Sequence, residues 1–299
     1  MGRPRIDVVT LFPEMLAPAL GTSILGRATA CGKLTCRLWD LREFGVGRHR
    51  ITDDLSYGGG IGMVMRPEPF FAAVTAIRAD WEHGGGAAGE ESAGAAGDER
   101  VILFGPAGRR LDQALVEELS RADRLILLCG HYEGVDERVR QVLATDEVSL
   151  GDFVLTGGEI AALALIDALA RLLPGVLPEG ATVEESFSWG LLEYPQYTRP
   201  ERWSGLEVPC VLRRGNRRGI ERWRRKEALR RTLRHRPDLL ARFRASETWL
   251  RDPTWEELWQ ELISEERPDQ SEKHTRQKTE SGVNQDGCDA GTGGRRSED

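Results

Sequence analysis

The stretch Ser149-Leu-Gly-Asp-Phe-Val-Leu-Thr-Gly-Gly-Glu159, followed at once by the apolar run Ile160–Leu173, constrains the fold more than any other part of the chain. It closes a β-like segment in a glycine turn and opens a helix, and Thr156-Gly-Gly-Glu159 has the spacing of a capping box. Two similar units precede it. Val101-Ile-Leu-Phe-Gly-Pro-Ala-Gly108 stands before Leu111–Ala122, and Leu125-Ile-Leu-Leu-Cys-Gly-His-Tyr-Glu-Gly134 before Val135–Ala144. Three apolar strands, each ending in a glycine loop before a helix, predict an α/β fold with a mainly parallel sheet flanked by helices. Glycine loops gathered at one sheet edge expose backbone N–H and C=O groups, which suits a small, polar, hydrogen-bond-rich ligand such as a nucleoside.

The same alternation extends toward the N-terminus. Ile6–Phe12 reads as a strand, Pro13–Ala30 as a helix ended near Gly32, and Leu34–Trp39 as a second strand. A long polar loop carries His49-Arg-Ile-Thr-Asp-Asp54 and Tyr57-Gly-Gly-Gly-Ile-Gly-Met63, and Phe70–Trp81 is the next helix. Residues 84–98 are nearly all Gly, Ala, Glu and Ser, the composition of a flexible insertion. Residues 1–177 then form one α/β domain, and 178–200, polar and proline-bearing, an interdomain linker. Residues 201–263 are rich in Arg, Trp and Leu and read as a small helical C-terminal domain with helices at Ile220–Leu233, Pro237–Arg244 and Thr254–Ile263. The polar tail 264–299 has the composition of a disordered segment.

Charge is concentrated. The 299 residues carry −7 overall, yet Arg213–Arg244 holds 14 Arg and Lys against Glu221, Glu227 and Asp238, a local +11 that leaves −18 for the rest. Such a segment on an acidic protein is an electrostatic footprint for a phosphate backbone, or a solvated helix face. Apolar runs are broken by charge or glycine, so no membrane span is expected, and the N-terminus lacks a signal-peptide pattern, which fits the cytoplasm. Five cysteines with no C-x-x-C pair read as reduced thiols.

Several chemistries find no support. Gly58-Gly-Gly-Ile-Gly62 fits no dinucleotide fingerprint, no P-loop or G-x-S-x-G elbow occurs, and the five histidines lack metal-ligand spacing. Carboxylates and arginines near glycine turns remain, among them Asp53, Asp54, Glu133, Asp152, Glu159, Asp167, Arg171, Glu184 and Glu185; each singly is as well explained as a cap or a solvated charge.

The blocks Tyr57–Met63, Cys129-Gly-His-Tyr-Glu-Gly-Val-Asp-Glu-Arg138 and Leu150–Glu159 resemble the signatures of the bacterial tRNA (guanine-37 N1)-methyltransferases of the SPOUT class. Leu11-Phe-Pro-Glu-Met15, Arg48–Asp54 and Tyr197-Thr-Arg-Pro200 fit as well, so the resemblance spans roughly residues 4–250. It implies a C-terminal trefoil knot in the sheet domain, a homodimer with shared active sites, and methylation of N1 of guanine 37, preceded by guanine 36, in the anticodon loop. S-adenosylmethionine is the implied methyl donor. Its implied site is Leu103, Phe104, Gly105 and Pro106; Gly130 and Glu133; Leu150, Gly151, Asp152, Phe153, Val154 and Leu155; and Gly157 with Gly158. For the anticodon stem-loop of tRNA, the implied contacts are His49, Arg50, Asp53, Tyr57 and Gly58 in the sheet domain and Arg217, Arg218 and Arg222 in the helical one. Mg2+ is implied for the reaction, with no ligand assigned.

By position, Glu185 is the implied base for the N1 proton and Arg171 the implied cation at O6. Glu185 stands where the family usually carries aspartate, so Glu184 is the alternative base, and His131 stands where an arginine is common. Two other readings compete: an RNA-binding protein that the aspartate-to-glutamate change has made inactive, and a methyltransferase of ribose 2′-hydroxyls. The second lacks the Arg48–Asp54 and Tyr57–Met63 blocks.

Overall fold

The structure is a computed structural model in which residues 4–83 and 98–266 are described. The expected insertion at 84–98, apart from Asp98, and the tail beyond 266 lie outside the described residues. The chain forms two compact units divided between Trp189 and Gly190, within the stretch expected as a linker.

The first unit is built on five parallel strands, β1 (Arg5–Thr10), β2 (Thr35–Asp40), β5 (Glu99–Arg110), β6 (Arg124–Leu128) and β7 (Asp146–Ser149), in the order β2-β1-β6-β5-β7. A short antiparallel hairpin, β3 (Asp53–Leu55) and β4 (Met63–Met65), stands apart from this sheet. Helices α1 (Pro13–Leu20), α2 (Ser23–Ala30), α4 (Gln113–Leu119) and α6 (Glu159–Leu172) contribute to the apolar cluster on one face of the sheet. Helices α3 (Pro67–His83) and α5 (Glu137–Val142) contribute to the cluster on the other. The two-residue period of the strands decides which side chain goes where: Ile6, Val8, Leu125 and Leu127 join the first cluster, Val9, Ile126 and Leu128 the second. Both faces are thus covered, as a parallel sheet requires.

Five details depart from the sequence reading. The stretch read as a long polar loop holds the β3–β4 hairpin, closed by pairing of Asp53 with Met65 and Leu55 with Met63. The helix expected over Pro13–Ala30 is two helices, because Thr22 is extended and α2 starts afresh at Ser23; Gly26 packs so tightly there that a Cβ would stand 2.4 Å from the Gly21 carbonyl. α3 begins at Pro67, since proline is tolerated in a helix's first turn. β5 does not end at Gly105; its register against β7 shifts between Phe104 and Arg109, so Gly105–Gly108 form an irregular bulge inside the strand. The capping box is absent. Gly158 is the N-cap, without a side-chain cap, and Glu159 is buried and accepts a 2.7 Å hydrogen bond from the Thr10 hydroxyl at the end of β1.

A buried ion pair ties the opposite end of β1 to α3. Arg5 donates from Nε and Nη2 to the two oxygens of Asp7, each at 2.8 Å, and the Trp39 indole donates to Asp7 at 2.8 Å. Arg5 also reaches Asp80 at 2.7 Å, and Arg5 and Arg124 lie over the Trp81 ring. Burial, and then the charge of Asp7, push the Cys36 thiol up to about 12.

The second unit holds a two-residue hairpin, β8 (Arg202–Trp203) with β9 (Leu206–Glu207). Five helices follow: α7 (Cys210–Arg213), α8 (Arg217–His235), α9 (Pro237–Arg244), α10 (Glu247–Arg251) and α11 (Thr254–Glu266). Ala228, Leu229, Leu240, Phe243, Trp249, Trp255, Leu258 and Leu262 are buried in it, and the Phe243 ring meets Trp249 and Trp255 edge-on. The helix expected to stop at Ile263 runs to Glu266, where its acids meet α8.

Asp7→Ala leaves Arg5 buried without its main partner, and such a loss typically costs about 3–5 kcal/mol. A urea melt should show a large drop in midpoint, whereas an unchanged midpoint would remove the pair from any structural role.

Candidate active site

Three loops meet at the carboxyl edge of the sheet: the β5 bulge, residues 129–136 after β6, and residues 150–158 after β7. They enclose a cleft of about 260 Å³. Every residue expected to hold a cofactor lines it except Asp152, which is exposed and pairs with Arg110 at 3.1 Å. Gly134, Val135, Ser149 and Thr156 also line it and lie inside the stretches singled out in the sequence without being named as contacts, whereas Val148 lies outside those stretches and Ala161 in the apolar run that follows Glu159.

Close approach explains the glycines. A Cβ on Gly158 would stand 2.7 Å from the Cα of Cys129, and the Gly158 amide donates to the Gly130 carbonyl at 2.9 Å. A Cβ on Gly108 would stand 2.4 Å from the Val148 amide nitrogen. These residues thus let the loops lie backbone against backbone, leaving main-chain groups at the cleft wall. Tyr132 adopts a left-handed conformation (φ 58°) in the tight turn where the Gly134 amide donates to the His131 carbonyl at 3.1 Å. A non-glycine residue held there is the kind of local strain that clusters at functional sites.

The β3–β4 hairpin docks beside this wall. The Glu133 amide donates to the Met63 carbonyl at 3.1 Å and the Met65 amide to the Gly134 carbonyl at 2.9 Å. At its tip Tyr57 is fully exposed and Gly58 has φ 86°. His49 and Arg50 are exposed on the preceding turn, which the Val46–Ile51 bridge closes, and Asp53 opens β3. The tRNA candidates of the first unit thus gather on one projecting hairpin and turn next to the cleft.

Arg171 and Glu185 come together as an ion pair, both partly exposed. Of the two glutamates considered as base, Glu185 is the one in this pair. They do not meet the cleft. Arg171 lies in the last turn of α6, twelve residues beyond Glu159, and at 1.5 Å per residue this places it roughly 18 Å along the helix axis from the cleft wall. Between the two ends, Ile160, Leu163 and Ala164 of α6 and Ala19, Ile24 and Leu25 of α1–α2 line an open, mostly apolar groove of about 400 Å³.

In the second unit the basic segment is largely engaged with acids. Arg222 and Lys226 pair with Glu261, Lys226 and Arg230 with Glu265, Arg234 with Glu266, Arg225 with Asp252 and Arg213 with Glu201. Arg217 pairs with Glu221 at 3.1 Å yet stays almost wholly exposed, and Arg214, Arg218 and Arg242 have no carboxylate partner among the described residues. Glu201, Asp252, Glu261, Glu265 and Glu266 therefore offset five of the local +11 and leave about +6, with unpaired cations at the start of α8 and on α9 among the described residues. Arg222, one of the three expected contacts, is committed to α11.

Gly158→Ala forces a methyl against the Cys129 backbone. The variant should lose most binding of any cleft ligand in calorimetry, while a variant that binds as tightly as the parent would contradict this placement of the site.

The chain matches the family described as tRNA (Guanine-1)-methyltransferase TrmD over residues 4–242. It is 54% identical over 244 residues to the tRNA (guanine-N(1)-)-methyltransferase of Moorella thermoacetica, covering 81% of this chain and 92% of that one. It is 51% identical over 242 residues to the like-named protein of Chloroflexus aggregans, covering 81% and 89%. With that of Anaeromyxobacter sp. it shares 52% over 259 residues, covering 84% and 96%. The cleft loops, the projecting hairpin and the Arg171–Glu185 pair all fall inside the matched residues, and the chain belongs to the tRNA (guanine-1)-methyltransferase family.

Proposed function

We propose that this protein methylates N1 of guanine 37 in the anticodon loop of tRNA, with guanine 36 preceding it, using S-adenosylmethionine as methyl donor. Family membership carries the reaction, and the cleft carries the donor: glycine-lined backbone at the carboxyl edge of a parallel sheet fits an adenosine. The bound donor would supply a methyl already activated on a sulfonium sulfur. Leu103–Pro106, Gly130–Glu133 and the 150–158 loop would hold it. The tight apposition of these three loops also supports the trefoil-knotted threading that the family resemblance implies.

The protein's remaining task is alignment and one proton. Guanine N1–H is weakly acidic, so a carboxylate that accepts the proton and a cation at O6 act together. Glu185 is assigned the first role and Arg171 the second; their pairing supports assigning them as one unit. Glu185 is the glutamate that pairs with Arg171, which supports it as the base. The hairpin residues His49, Arg50, Asp53, Tyr57 and Gly58, with Arg217 and Arg218, are assigned to the tRNA, and Arg222 to the same surface through its contact with α11. The target base would leave its stack to reach the methyl, and phosphate contacts would make binding weaken with salt.

The roughly 18 Å between the cleft and the Arg171–Glu185 pair is too long for methyl transfer within one chain. A homodimer resolves it, with the apolar groove along α6 and α1–α2 covered by a second copy so that the pair of one meets the cleft of the other. Among the described residues no cluster of three His, Cys, Asp or Glu side chains stands ready to hold a metal, and Mg2+ is assigned no ligand and no step. No helix among the described residues is long and apolar enough to cross a membrane, and the cytoplasm is the location this reading implies.

The test is methyl transfer from labelled donor to unmodified tRNA transcripts carrying G36-G37 or G36-A37. Label should appear only in the first, as 1-methylguanosine. Label in both, or in a ribose, would reject the reading, and binding of both ligands without transfer would favour an inactive RNA-binding protein.

A further inference from the structure

The charge of the cleft wall runs against what its secondary structure offers. α6 starts at the wall, and a bare helix N-terminus carries partial positive charge that draws phosphates and carboxylates. Here that end is occupied. Glu159 sits in the first turn, 2% exposed, and one of its oxygens accepts the Thr10 hydroxyl at 2.7 Å. The other faces the glycine turn: a Cβ on Gly157 would stand 2.3 Å from Glu159 Oε2 and 2.6 Å from His131 Nδ1. That imidazole nitrogen is buried and has no hydrogen-bond partner among the described residues. Behind the same wall the Cys129 thiol is pushed well above its ordinary range, by burial first and by the charge of Glu159 second.

Two further carboxylates border the cleft. Glu133 is a lining residue whose carboxylate lies against Gly62 of the hairpin, and Glu147, behind the lining residue Gly105, has Oε1 2.7 Å from where a Cβ on Gly105 would be. No lysine or arginine is among the lining residues in the described part of the chain. Such a wall repels nucleoside phosphates and attracts a cation, and in a partly desolvated site the attraction is stronger than it would be in water.

We infer that this acidic wall, with the buried Glu159 carboxylate behind it, selects the cationic sulfonium donor over its neutral thioether product, so that the transfer itself loosens the spent ligand. The inference rests on the cofactor reading above. As the methyl passes to guanine N1, the S–C electron pair stays on sulfur, a nitrogen pair forms the new N–C bond, and the N1 proton goes to Glu185. One positive charge therefore disappears beside the wall, while the adenosine and amino-acid portions are unchanged. Glu159 touches neither reactant; it acts as a specificity residue through the field behind the Gly157–Gly158 turn.

Calorimetric titration of S-adenosylmethionine and S-adenosylhomocysteine into the full-length protein and Glu159→Gln tests this. The parent should prefer the sulfonium, and Glu159→Gln, which keeps the shape and an acceptor for Thr10, should lose about tenfold of that preference. A parent with no preference, or a variant with the parent's preference, would overturn the inference. If Glu159→Gln does not fold, Glu147→Gln on the partly exposed side of β7 decides: a reduced preference supports the acidic wall and an unchanged one overturns it. A parent that binds neither ligand would overturn the cofactor reading itself, an outcome distinct from binding both without preference.

Discussion

The hydrogen bond from Thr10 to Glu159 is the joint on which the site depends. It links the end of β1 to the first residue of α6 across 149 positions of sequence, and it does so beneath the cleft. The Thr10 hydroxyl also accepts the Phe12 amide at 2.9 Å, so the turn leaving β1 is fixed by the same group. With Glu159 held there, Gly158 can lie against Cys129 and Gly130, and the 150–158 loop closes on the loop after β6. A buried carboxylate is costly unless it is hydrogen-bonded, and the helix N-terminus together with Thr10 offsets that cost.

α6 also acts as a spacer. One end forms the cleft wall and the other presents Arg171 to Glu185, and the rigidity of a fourteen-residue helix prevents the two from meeting in a single chain. The exposed apolar residues between them face outward from a chain whose first unit already has a filled core on both sides of the sheet. The distance between the pair and the cleft and the uncovered groove are two consequences of one geometry, and the proposed homodimer would account for both.

Local patterns in the sequence carried the strands of the parallel sheet and most helices, but not the two small hairpins, since alternation in 6–10 and 125–128 and the long apolar run after Glu159 depend only on neighbouring residues. What escaped was decided by distant partners. Thr156–Glu159 has capping-box spacing, but Thr10 claims the carboxylate instead. The glycines at 105 and 108 signal a turn in sequence, whereas β7 pairs with residues on both sides of them and makes a bulge. The basic run in α8 reads as free charge because its acids, Glu261, Glu265 and Glu266, lie 32 to 39 residues away from their partners. For the site, the glycine blocks marked nearly all of the cleft, and Arg171 and Glu185 became a pair only once the chain after α6 had folded back.

The most direct measurement mixes two inactive variants of the full-length protein. Glu185→Ala should keep the cleft and lose the proposed base; Gly158→Ala should lose the cleft and keep the proposed base. If each site combines the cleft of one copy with the Arg171–Glu185 pair of another, neither variant alone should transfer methyl groups to tRNA. Exchanged subunits should recover roughly a quarter of the parental rate, from the one intact site in each mixed dimer. No recovery, with mixed dimers shown to have formed, would contradict a site shared between two copies.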